Sequence, residues 1–184
     1  MTKLRVGIVG YGRIGNEHAG WLARSNDCAV AGVFDPTPAR RSVAAAAGLA
    51  TTDALGELLD DPAIDAVLIA TPTSMHHDHA LAAIAAGKHV MVEKPIAIDL
   101  PQAMAVRDGA ASAGVVLSVF HCRRWDADFL TVQAAVASGV LGRLINVESR
   151  LGQFASCVGP AAREYRPGWR NEGAFGGGGL YDWG

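Results

Sequence analysis

The sequence predicts an α/β fold: a doubly wound parallel sheet, followed by the start of an α+β second domain with an open, mostly antiparallel sheet. Three observations predict the first part. Short apolar runs rich in β-branched residues recur along the first 120 residues, each too short for a helix and separated from the next by a helix-length segment. Glycines stand just past three of those segments, where a left-handed C-cap favours them. A glycine-rich turn joins the first run to the first helix.

In order, residues 4–10 form the first strand and 13–25 the first helix, followed by a strand at 29–34 and a helix at 38–47. A brief extended piece at 49–51 supplies the third strand, and 53–59 a short helix. Strands at 66–70, 89–92 and 115–120 then alternate with helices at 76–86 and 101–113, with Gly48, Gly87 and Gly114 as the terminating glycines. Right-handed crossovers turn this alternation into a doubly wound sheet.

After Phe120 the composition turns polar and aromatic, which places a boundary near residue 121 and divides the chain into 1–121 and 122–184. A helix is expected over 127–138, then a glycine corner at 139–142. Residues 144–151 place Ile145, Val147 and Leu151 on one face and Asn146, Glu148 and Arg150 on the other, the pattern of a half-exposed strand. From 152 to 184 there is little periodicity, so the second domain reads as incomplete.

The 184 residues are 50% hydrophobic and 18% charged, with a formal net charge of -2. That balance describes a packed globule and lacks the basic field that nucleic acid or an anionic membrane requires. No apolar stretch reaches the length of a membrane span, and the opening residues lack a signal-peptide pattern. Cys28, Cys122 and Cys157 are too few and too scattered for a disulfide framework or a zinc site. A soluble cytoplasmic protein is expected.

Gly10-Tyr11-Gly12-Arg13-Ile14-Gly15 spells G-x-G-x-x-G between a strand and a helix, the context of a Rossmann dinucleotide-binding turn. Gly10 permits the tight turn, Gly12 lets the backbone approach a pyrophosphate, and Gly15 allows close helix packing. Asp35 ends the second strand twenty residues after Gly15, where a carboxylate accepts hydrogen bonds from the adenosine ribose and favours NAD. It also stands where it could simply start the turn at Pro36. Arg40 and Arg41 lie near enough to offset the charge of a 2′-phosphate, which keeps NADP open.

His76, His77 and His79 lie within four residues, but on a helix His77 points about 100° away from His76 and no carboxylate or thiolate cluster completes a metal sphere. No metal is expected; His76 is read as a helix-start residue near the cofactor cleft. Arg123 and Arg124 beside Trp125 and Asp126 suit an interdomain ion-pair and stacking cluster. His121 and Cys122, as strand neighbours, would face opposite sides, which argues against a thiolate nucleophile.

Ala70-Thr71-Pro72-Thr73 with His76, then Ala85-Ala86-Gly87-Lys88-His89-Val90, then Glu93-Lys94-Pro95 resemble in order and spacing the signature of the Gfo/Idh/MocA oxidoreductases. Arg124-Trp125, Gly139 with Gly142, and Gly177-Gly178 with Asp182 extend the resemblance over nearly the whole chain. It implies hydride transfer between NAD, or NADP, and a secondary alcohol or carbonyl of a sugar, an inositol-like polyol or a related compound. It further implies that Thr71, Pro72 and Thr73 line the cofactor cleft and that Glu93 and Lys94 reach the nicotinamide ribose. Lys94 also faces the substrate, with Lys94–Pro95 cis in the family's manner. On the same resemblance Asp182 is expected to orient the substrate hydroxyl or the base; Trp169 and Arg170 are separately expected in a substrate-facing loop.

In the family a histidine follows that aspartate by four residues; here it would fall at position 186, beyond Gly184. The expectation is a fragment of a longer, homo-oligomeric dehydrogenase, inactive or slow by itself. The alternative is a dinucleotide-binding redox sensor or regulatory module. S-adenosylmethionine or flavin chemistry would not need Glu93-Lys94-Pro95.

Overall fold

Strands β1 (Leu4–Val9), β2 (Cys28–Phe34), β3 (Thr51–Thr52), β4 (Ala66–Ile69), β5 (His89–Glu93) and β6 (Leu117–Phe120) alternate with five helices in a computed structural model of the chain. The helices are α1 (Arg13–Ala23), α2 (Pro38–Ala46), α3 (Leu55–Asp60), α4 (His76–Ala85) and α5 (Leu100–Ala113). The structure describes residues 2–150 and 172–178. Among these the strands form one six-stranded sheet in the order β3-β2-β1-β4-β5-β6, with every pairing parallel. The order reverses direction between β1 and β4, the topological position at which doubly wound sheets open a crevice at the carboxyl ends of their strands.

Period-two alternation sends the strand side chains to two helical layers. Ile8 and Val33 pack with Ala19 of α1 and Ala44 of α2, whereas Val9, Val67, Ile69, Val90 and Val92 pack with Leu58 of α3, Ala83 of α4 and Val106 of α5. Burial of each such aliphatic side chain stabilises the fold by roughly 1.5–3 kcal/mol. Paired glycines set one close approach: Gly7 faces Gly32 across β1 and β2. A Cβ on Gly32 would stand 2.9 Å from Leu58 Cδ1, and one on Gly7 3.2 Å from Leu58 Cδ2, so the pair admits α3 against the sheet.

The expected helix ends are present. Gly48, Gly87 and Gly114 follow α2, α4 and α5 with φ of 80°, 72° and 67°, and the Asp99 carboxylate accepts the Gln102 N–H at the start of α5. Lys88, from the expected Gly87-Lys88-His89 stretch, is buried and structural: its Nζ donates 2.8 Å hydrogen bonds to the carbonyls of Asp61 and Ile64 just past α3. The third strand begins at Thr51, not Leu49. The Leu49 N–H donates to the Ala44 carbonyl, which ties it to the end of α2, and its side chain packs in the α1–α2 layer.

Helix α6 (Ala127–Ala137) follows a 3-10 turn at Cys122–Trp125. Cys122 thus lies on a turn and not on a strand as read above, and its exposed thiol has no strand neighbour to face away from. Arg123 pairs with Asp126 at 2.9 Å, only three residues away and in solvent, and Trp125 is 79% exposed, so the expected interdomain ion-pair and stacking cluster is not formed among the described residues. Residues 144–150 form no strand, and Ile145 and Val147 are exposed. The second antiparallel sheet is therefore not formed among the described residues, and Leu151, Cys157, Trp169, Arg170 and Asp182 lie outside them. Residues 172–178 pack back on the first domain, with Gly176 so close that a Cβ would stand 3.2 Å from Thr73 Cγ2. No helix among the described residues is long and apolar enough to cross a membrane.

Candidate cofactor cleft

The turn after β1 is shaped by close contacts that only glycine tolerates. Gly10 has φ 92°, and a Cβ there would lie 2.8 Å from Thr71 Cγ2; at Gly15 a Cβ would stand 2.0 Å from the Gly10 carbonyl oxygen. Helix α1 is thus held hard against the turn from which it starts. Its first-turn N–H groups have no side-chain cap. At Gly12 a Cβ would meet only the Arg40 guanidinium, at 3.7 Å. An uncapped helix N-terminus, an open glycine face and a neighbouring cation together fit a pyrophosphate.

The side chains of the fingerprint point elsewhere. The Tyr11 ring is buried in the α1–α2 layer, where desolvation raises its pKa; Arg13 pairs with Glu17 at 2.7 Å in solvent; Ile14 is half-buried.

Asp35 is 1% exposed. One carboxylate oxygen accepts the Tyr11 N–H at 2.7 Å and the other the Thr37 N–H at 2.8 Å. The second bond is the turn anticipated as the alternative role at Pro36; the first ties β2 to the glycine turn. Arg40 Nη1 lies 3.6 Å from the same carboxylate, while Arg41 is braced between the Asp35 carbonyl and Asp53. Arg40, not Arg41, therefore stands beside Gly12.

On the other side of the crevice, the turn after β4 is held by two histidines. His79 Nδ1 shares a 3.1 Å hydrogen bond with the Thr71 hydroxyl. His76 is 1% exposed, its Nε2 2.9 Å from the Thr71 carbonyl oxygen and its Nδ1 2.8 Å from that of Pro95. A neutral imidazole donates to one of these oxygens and an imidazolium to both. Burial lowers the pKa of His76 despite the two carbonyls and the charge of Glu93. His79 is lowered by burial and by nearby His76. His77 engages Asp78, so the three imidazoles serve separate partners. Pro72 leads into a 3-10 turn at Thr73–Met75 with Thr73 buried.

Glu93 ends β5, and the Lys94–Pro95 peptide that follows is cis. Lys94 is half-buried just past the carboxyl end of β5. The Glu93 carboxylate accepts the Lys94 N–H at 3.2 Å and pairs with His18 Nε2 at 2.7 Å. Sequence reasoning passed over His18. Its signal was a lone polar side chain on the buried stripe of α1, one turn after Gly15, where such a group needs a partner.

The model of the family described as oxidoreductase, NAD-binding Rossmann fold, matches residues 4–121. The uncharacterized oxidoreductase YdgJ of Escherichia coli K12 is 40% identical over 98% of this chain and 50% of its own length. The scyllo-inositol 2-dehydrogenase (NADP(+)) IolW of Bacillus subtilis is 35% identical over 71% of this chain and 34% of its own. A crystal structure of an NAD-binding protein from Listeria innocua superposes with a TM-score of 0.88 at 35% identity, covering 99% of this chain and 52% of that one. The chain spans about half the length of YdgJ and of the Listeria protein. With its glycine turn, its Glu93-Lys94-Pro95 corner and the sheet between them in agreement, this chain belongs to the Gfo/Idh/MocA family of NAD-binding Rossmann-fold oxidoreductases.

Proposed function

We propose that this chain provides the dinucleotide cleft and the substrate-facing lysine of a dehydrogenase acting on a secondary alcohol or carbonyl of a sugar or inositol-like polyol. The observation that carries the reading is the meeting, across the β1–β4 switch, of an uncapped glycine-cradled helix start with the Glu93-Lys94 corner. IolW, an inositol dehydrogenase by its name, supports the substrate class.

The backbone of Gly12, Arg13 and Ile14 would hold the pyrophosphate, Asp35 and Arg40 the adenosine end, and Thr71, Thr73, Glu93 and Lys94 the nicotinamide end. Bound NAD supplies a ring that accepts or returns a hydride. The Lys94 ammonium stabilises negative charge on the substrate oxygen, a role whose loss costs on the order of a hundredfold in rate. Asp182 orients the substrate hydroxyl or the group that takes its proton. Cytoplasmic residence and a homo-oligomeric assembly complete the proposal.

The test is titration of the chain with NADH and NADPH, followed by nicotinamide fluorescence, and then a polyol and sugar panel on the longer parent dehydrogenase that contains it, as wild type and as Lys94→Met. Saturable NADH binding, with turnover abolished by Lys94→Met while affinity is kept, is expected. Equal turnover in the variant overturns the role of Lys94. Binding without turnover of any substrate in the longer parent favours the sensor reading.

A further inference from the structure

Three elements meet at His18. Helix α1 brings it from the pyrophosphate end of the cleft, β5 brings Glu93 from the nicotinamide end, and β6 brings Phe120, which pairs in register with Glu93. The imidazole is 3% exposed, and its Nε2 lies 2.7 Å from Glu93 Oε1. Because a carboxylate only accepts, Nε2 carries the proton in this pair. The ring is held edge-on by Trp21 at 4.9 Å and Phe120 at 4.6 Å between centroids, and Trp21 in turn stacks on Phe120. Such walls exclude water and strengthen a hydrogen bond to a charged acceptor. The second Glu93 oxygen takes the Lys94 N–H, so the carboxylate is fixed from both sides.

We propose that His18 is a positioning residue for the nicotinamide end of the cleft: it sets the direction of the Glu93 carboxylate and, through Glu93, the placement of Lys94. The inference rests on the dinucleotide reading above. Since α1 is jammed at Gly15 against the Gly10 carbonyl, His18 passes the position of the pyrophosphate turn to the corner that carries the lysine. The two ends of one cofactor are thereby kept in register by a single hydrogen bond.

The test compares NADH with ADP, which occupies the glycine turn but lacks the nicotinamide ribose. His18→Leu removes the donor at similar volume and should weaken NADH binding about tenfold, the worth of one charge-assisted hydrogen bond. ADP affinity should stay within about twofold of wild type, because the turn is untouched. His18→Gln, whose amide nitrogen reaches the Nε2 position, should recover most of the NADH affinity, whereas the shorter His18→Asn should not. Equal losses for NADH and ADP would show that His18 merely staples α1 to the sheet, and unchanged NADH affinity in His18→Leu overturns the proposal outright. If the leucine variant unfolds, the Gln and Asn pair decides by the same criterion. Failure of the wild-type chain to bind NADH is a separate result that overturns the dinucleotide reading and this inference with it.

Discussion

The Tyr11 N–H donates to the Asp35 carboxylate at 2.7 Å, a bond that fastens the glycine turn to the end of β2. With the Thr37 N–H on the other oxygen, the buried carboxylate serves two backbone donors. Asp35→Asn must turn its amide N–H₂ toward one of them. A loss of about 1–3 kcal/mol is expected, and each kcal/mol lowers Tm by roughly 2–4 °C for a chain of this size. Thermal melts at neutral pH check it; an unchanged Tm would show that neither bond matters to the fold.

Arg40 lies between the Asp35 carboxylate and the open face of Gly12. A guanidinium there is placed to meet a 2′-phosphate. Arg40→Ala should weaken NADPH on the order of tenfold and NADH by less than about threefold. Parallel fluorescence titrations with both nucleotides measure the ratio, and an equal loss for the two would remove Arg40 from selectivity.

Two glycines two residues apart should fail in different ways. Gly10→Ala forces a Cβ against Thr71 at a positive φ and should cost on the order of 1–3 kcal/mol of stability. Gly12→Ala adds a methyl where only Arg40 is near, so the protein should fold and melt as wild type while NADH affinity falls at least about tenfold. Calorimetry and titration on the same preparations separate the two effects.

Burial depresses the pKa of both His76 and His79 below the ordinary 6.5. The unfolded chain therefore binds these protons at a pH where the folded chain still refuses them, and stability rises with pH across that window. Acidification from about pH 7.5 should leave Tm level until the unfolded value near 6.5 is approached and then lower it progressively. His79→Asn, which keeps a polar partner for the Thr71 hydroxyl, should flatten that decline. A parallel decline in the variant would assign it to other groups.

The sheet was readable because each buried strand is its own apolar run and the ends of α2, α4 and α5 each carry their own glycine; these signals are local. The glycine turn was readable for the same reason, since Gly10 and Gly15 shape backbone that sits beside them in sequence. The partners of those residues were not. His18 and Glu93 are 75 positions apart, and nothing in either neighbourhood specifies that α1 and β5 touch. Asp35 carried two local readings, and the structure gives it a turn bond through Thr37 together with a contact to Tyr11 that pattern alone does not show. The segment 144–150 alternates as a strand does, yet alternation describes which face would be buried and supplies no neighbour to bond with.

The chain has three lysines, Lys3, Lys88 and Lys94, and the fold distributes them in a way that makes amine chemistry informative. Lys88 is sequestered by two carbonyls, and Lys3 sits exposed just before β1, at the end of the sheet away from the crevice. An acylating reagent followed by peptide mass mapping thus reads Lys94 against an exposed internal standard and a shielded one. With Lys94 at the proposed nicotinamide end, nucleotide binding should lower its labelling relative to Lys3, a ratio of two peptides read without any substrate in hand.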